Sequence, residues 1–128
     1  MVSIVLFDES PARSDAFGLA LSAAGYDVEV MTDLVQARSR LEGAPADLMI
    51  VSVSSTDGGP GHLVGQCRAA WPDCRTIALM ARADGDRSML SRMGLWEPHH
   101  TVTRPISPDR LVRTVASLLD RPPRDSAD

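Results

Sequence analysis

The sequence predicts an α/β fold, a doubly wound (βα)5 sandwich in which a five-stranded parallel sheet carries helices on both faces. Three observations carry that prediction. Short apolar runs alternate with segments whose apolar residues recur at helical spacing. The helical segments are long enough to cross back over a sheet between parallel strands. A glycine or proline closes most of these units. At 128 residues the chain has room for one domain with a real core and not for two.

The elements follow in order. "SIVLF" (Ser3 to Phe7) reads as the first strand, and Phe17, Ala20, Leu21 and Ala24 as one face of the first helix, ended by Gly25. "YDVEVM" (Tyr26 to Met31) is the second strand, followed by a helix with Leu34, Ala37 and Leu41 on one face and Gly43 behind it. "DLMIVSV" (Asp47 to Val53) is the third strand. "DGGPG" (Asp57 to Gly61) reads as a glycine-rich loop without the lysine and spacing that cradle phosphate. Leu63, Cys67, Ala70 and Trp71 then form a helical face stopped by Pro72, with Trp71 as a lid on the core. "RTIALM" (Arg75 to Met80) is the fourth strand, Met89, Leu90 and Met93 mark a further helix, and "HTVT" (His100 to Thr103) is the fifth strand. The last helix is the clearest: Leu111, Val112, Val115, Leu118 and Leu119 share a face, Ser107 is placed to cap it and Pro108 to begin it. Residues 1–120 make the domain, and the tail "RPPRDSAD", 121–128, is too poor in apolar residues to fold.

Composition excludes several functions. The net charge is −4, and all 13 basic residues are arginine, so there is no general basic surface for nucleic acid. No apolar run approaches the roughly 18 residues of a membrane span, and "MVSIVLFDES" turns acidic too early for a secretory signal. A cytoplasmic protein is expected, without membrane contact. Cys67 and Cys74 have neither zinc-ligand spacing nor a disulfide framework; Cys67 is expected in the core and Cys74 in a loop, both reduced. His99 and His100, adjacent on a strand, point to opposite faces and are expected at the surface.

In an open parallel sheet, ligands and chemistry collect at the carboxyl ends of the strands. The residues there are Asp8 and Glu9 after the first strand, Ser52 to Asp57 at the end of the third, Met80 and Ala81 after the fourth, and Arg104 and Pro105 after the fifth. Their order and spacing over residues 2–120 resemble a response-regulator receiver domain, which implies a flavodoxin-like sheet of order 2-1-3-4-5. In that family an acidic pair helps bind Mg²⁺, and an aspartate ending the third strand accepts a phosphoryl group from a histidine kinase. A Thr or Ser after the fourth strand contacts the phosphoryl oxygens, and a Lys followed by proline after the fifth completes the pocket. Asp8, Glu9 and Pro105 match that pattern. Ser52 stands at the acceptor position, Met80 at the hydroxyl position, Arg104 at the lysine position, and Thr101 where many members carry an aromatic rotor.

These departures imply a pseudo-receiver. Phosphoryl transfer needs an ionised nucleophile in line with phosphorus, a divalent cation and donors for the equatorial oxygens. Ser52 without an adjacent base is a poor nucleophile, a thioether at Met80 donates nothing, and losing the third carboxylate leaves metal binding absent or weak at Asp8 and Glu9. Arg104 is expected to sit on Asp8 or Glu9 as a fixed cation. No cofactor and no catalysis are expected. The function implied is phosphorylation-independent protein binding in a two-component-type pathway, with a histidine kinase, phosphotransfer protein or regulator as partner. In receivers the face formed by the fourth helix, fifth strand and fifth helix commonly docks partners or dimerises, and Leu95 and Trp96 are its candidate anchors here. Other readings stay open: Asp8 and Glu9 as solvated loop acids, Ser52 as a small structural residue or a phosphoserine, and a phospho-receiver using another carboxylate such as Asp57. A flavodoxin-like ligand-binding protein is the remaining one, although "FDESPAR" offers charge and proline where a flavin loop wants Ser, Thr and Gly.

Overall fold

In the computed structural model, which describes residues 1–53, 58–80, 100–103 and 105–120, five strands form one sheet. They are β1 (Ser3–Phe7), β2 (Asp27–Met31), β3 (Leu48–Val53), β4 (Arg75–Met80) and β5 (His100–Thr103). The order is β2-β1-β3-β4-β5 and every pairing is parallel, as the resemblance implied. Side chains alternate across the sheet. Val5, Phe7, Met49, Val51, Ala78 and Met80 enter one core layer, and Ile4, Leu6, Leu48, Ile50, Ile77 and Leu79 the other. Because β1, β3 and β4 are buried on both faces, they read as nearly unbroken apolar runs.

The helices are α1 (Pro11–Ala23), α2 (Leu34–Arg40), α3 (Gly58–Ala70) and α4 (Pro108–Asp120). Phe17 and Leu21 of α1 join Leu111 and Val115 of α4 over the Ile4 layer. Ala37 of α2, Leu41 behind it, and Leu63, Val64 and Cys67 of α3 cover the Val5 layer. Three of the described connections into helices are fixed by a local hydrogen bond. Ser10 Oγ accepts from Arg13 N at 3.3 Å, Asp33 Oδ1 from Val35 N at 2.9 Å and Ser107 Oγ from Arg110 N at 3.1 Å, so three helix starts are capped. Gly25, at φ 102, takes the left-handed turn after α1 that a side chain would resist.

Three details differ from the sequence reading. Ala24 is exposed because it is the C-cap of α1, past the last residue whose direction the helix fixes. Ala70 is likewise exposed at the end of α3, and Val64 is the buried residue that periodicity overlooked. Gly58 to Gly61 are the first turn of α3 rather than a loop; Pro60 fits there because first-turn N–H groups need no helical partner. Trp71 is the expected lid: 2% exposed, it donates Nε1–H to Gly43 O at 3.3 Å. Arg40 stacks 5.1 Å from its ring centroid while binding Glu29 at 3.0 Å and Ala44 O at 2.7 Å. The predicted helix around Met89 to Met93 and the tail lie outside the described residues. Among the described residues, no helix is long and apolar enough to cross a membrane.

Candidate functional site

The register brings the candidate residues to one edge of the sheet. Phe7 of β1 pairs with Val51 of β3, so Asp8 and Ser52 come next on neighbouring strands; Ser52 pairs with Leu79, one residue before Met80. Asp8 N–H donates to Met31 O at 3.0 Å, extending the β1–β2 ladder by one residue and fixing the aspartate at the carboxyl edge.

Asp8 is fully buried, and its carboxylate is met by three donors. Ser10 N donates to Oδ1 at 2.9 Å, Arg13 Nε to Oδ2 at 2.6 Å and Arg13 Nη2 to Oδ1 at 2.8 Å. The two guanidinium bonds form a fork that matches the carboxylate, the stronger kind of charge-assisted pair. Local structure explains the contact. Ser10 caps α1 and Pro11 opens it, so Arg13 lies in the first turn and reaches back over the loop to Asp8. A carboxylate at a helix start also meets the positive end of the dipole. Glu9 is exposed to solvent and does not share this arrangement.

Ser52 is 6% exposed, and its Oγ has no hydrogen-bond partner among the described residues. An unsatisfied buried hydroxyl is a cost of about 1–3 kcal/mol. Ser52→Ala should therefore leave stability unchanged or raise it by about 1 kcal/mol in urea unfolding; a loss of that size would mean the hydroxyl is bonded in solution. Met80, at 1% exposure, packs with Val51 and Ala78 in the core layer on the α2–α3 side. It is brought to the edge but offers no group to it. Thr101 pairs with Ala78 on exposed β5, and Pro105 is exposed as well. Arg104, Leu95, Trp96 and Asp57 lie outside the described residues.

Sequence reasoning expected Arg104 on the acidic pair, and Arg104 lies outside the described residues. Among the described residues the cation on Asp8 is Arg13, which sequence reasoning passed over. The available signal was a Ser-Pro helix start separated from Asp8 only by Glu9, which puts the third helical residue within reach of it.

The receiver resemblance implies a magnesium ion at this edge, and the described residues there do not fit one. Mg²⁺ demands near-octahedral oxygen ligands with one or two free carboxylates. Both Asp8 oxygens are engaged by Arg13 and Ser10, and among the described residues no group of three His, Cys, Asp or Glu could hold a metal.

Neither a protein-family model nor a curated protein matches the chain. Solved structures do. A response regulator from Thermotoga maritima superposes with a TM-score of 0.80 at 21% identity, covering 94% of this chain and 99% of that one. A CheY-like receiver domain protein from Methanospirillum hungatei JF-1 gives 0.83 at 17% identity, covering 94% of both chains. The chemotaxis protein CheY4 of Vibrio cholerae gives 0.79 at 18% identity over 91% of this chain and 98% of that one. The chain has the receiver fold. At these identities the likeness speaks for the fold alone, so function has to be argued from the site.

Proposed function

We propose that this chain is a receiver-fold signalling domain that works by protein–protein interaction in a two-component-type pathway, without accepting a phosphoryl group and without catalysis. The observation that carries the reading is the Arg13–Asp8 fork. A receiver switches by gathering a divalent cation and a phosphoryl group at its acidic edge. Here the Asp8 charge is already neutralised by an arginine of the same chain, the strand-end hydroxyl of Ser52 has no partner among the described residues, and the next strand ends in a buried thioether. The pocket has one electrostatic state.

The partner in this reading is another signalling protein of the cytoplasm: a histidine kinase, a phosphotransfer protein or a regulator. A groove of about 480 Å³ runs between β5 and α4, lined by His100, Arg110, Arg113, Thr114, Ser117 and Leu118. Two arginines there favour an acidic partner surface and would raise its rate of encounter. Leu95 and Trp96, outside the described residues, remain the proposed apolar anchors, and self-association is a second use of the proposed docking face.

Incubation with acetyl phosphate and Mg²⁺ tests the reading. Intact mass should be unchanged. A gain of one phosphoryl group mapping to Asp57 or another carboxylate would overturn it in favour of a phospho-accepting domain.

A further inference from the structure

We propose that Cys67 and Cys74 form an oxidisable thiol pair that a hydroperoxide converts to an intramolecular disulfide at the end of α3. Cys67 lies on the last turns of α3 and Cys74 just before β4; both thiols are free, 0% and 1% exposed, and share one core layer with Trp71. The turn between them is tightly held. Trp71 N donates to Cys67 O at 2.7 Å and Cys74 N to Trp71 O at 3.0 Å, which folds the second cysteine back beneath the helix that carries the first. Cys74 Sγ donates to Arg75 O at 3.4 Å. Pairing with Cys74, aided by the charge of Arg68, holds Cys67 below the usual thiol range against burial, and the same pairing together with burial pushes Cys74 up.

The roles are therefore unequal. Cys67 is the nucleophile and Cys74 the resolving thiol, since the thiolate is the attacking form. The Cys67 sulfur attacks one peroxide oxygen, the O–O bond breaks, and water leaves as the sulfur becomes a sulfenic acid. Cys74 sulfur then attacks Cys67 sulfur, its proton leaves with the hydroxyl as a second water, and the disulfide closes. Two thiols lose two electrons in total and one peroxide takes them up. A buried thiol is normally inert; this pair sits at a helix end followed by exposed Pro72 and Asp73, and in the proposal peroxide reaches it when that end and the Trp71 lid open locally. The pair lies at the amino end of β4, the opposite edge of the sheet from Asp8 and Ser52, so it stands apart from the reading of that pocket.

The test is to treat the folded wild-type protein with one equivalent of hydrogen peroxide and analyse it without reduction. The expected product is a monomer lighter by two hydrogens, whose digest contains Cys67 linked to Cys74 and whose mass is restored by a dithiol. Cys74→Ser should stop at a Cys67 sulfenic acid that dimedone traps. Should that variant fail to fold, the wild-type digest decides. Unchanged mass in the folded state, oxygen added to either cysteine without a link, or covalent dimers would each overturn the proposal.

Discussion

Arg13→Ala is expected to destabilise the domain by about 3 kcal/mol, because it leaves the fully buried Asp8 carboxylate without its cation. The figure is set at the lower end of the range for a broken buried pair, since Arg13 itself is 35% exposed and water can replace part of what is lost. For a domain of this size that loss lowers the melting temperature by roughly 10 °C. Two further variants separate charge from geometry. Arg13→Lys keeps the cation but loses the fork, and should fall between wild type and alanine. Asp8→Asn in the Arg13→Ala background removes the orphaned charge and should recover part of the loss, a coupling that a double-mutant cycle in urea measures directly. Equal stability of wild type and Arg13→Ala would mean that the fork does not hold in solution.

Trp71→Ala should cost about 3–5 kcal/mol, the range for deleting a large buried aromatic. Trp71 closes the core layer formed by Leu41, Ala46, Leu63 and Cys67, so its loss leaves a cavity that helix ends on either side cannot collapse to fill. The polar part of the contact is smaller. Trp71→Phe keeps most of the packing and loses the bond to Gly43 O, so it should cost about 1 kcal/mol. Chemical denaturation of both variants reads the two contributions separately; a Phe variant as damaged as the Ala variant would place the energy in the hydrogen bond instead.

The strands were legible in the sequence because β1, β3 and β4 are buried on both faces, and burial leaves an apolar run that little else in a short chain imitates. Which strand lies beside which was not in that signal. It came from the resemblance, and the observed order agrees with it. Helix faces were read well where the helix continues and badly where it ends: Ala24 and Ala70 fit the period, yet each sits where the backbone is leaving the helix. Gly58 to Gly61 oppose helix formation locally, and the turn forms because Leu63, Val64 and Cys67 pack α3 onto the sheet. Gly18 was passed over for the opposite reason. Nothing in the sequence says that Val30 Cγ2 would stand 2.8 Å from a Cβ placed there, a closeness created only when α1 lies on β2.

The candidate site divides the same way. Asp8 and Ser52 could be placed at the strand ends by counting along apolar runs. Arg13 could not be assigned by counting, because its reach depends on the angle at which α1 leaves the loop, and that angle is set by Ser10 and Pro11 together with the core contacts of Phe17 and Leu21. An arginine within a few residues of an acidic strand end, across a capped helix start, is the pattern to look for.

The claim that the acidic edge is permanently neutralised is tested most directly by titrating the folded protein with beryllofluoride and Mg²⁺ while following backbone amide resonances. The account predicts no saturable movement at Asp8, Ser10 or Ser52, in contrast to a receiver that binds the phosphoryl mimic. Saturable shifts at those three amides, reaching a plateau with added Mg²⁺, would contradict it.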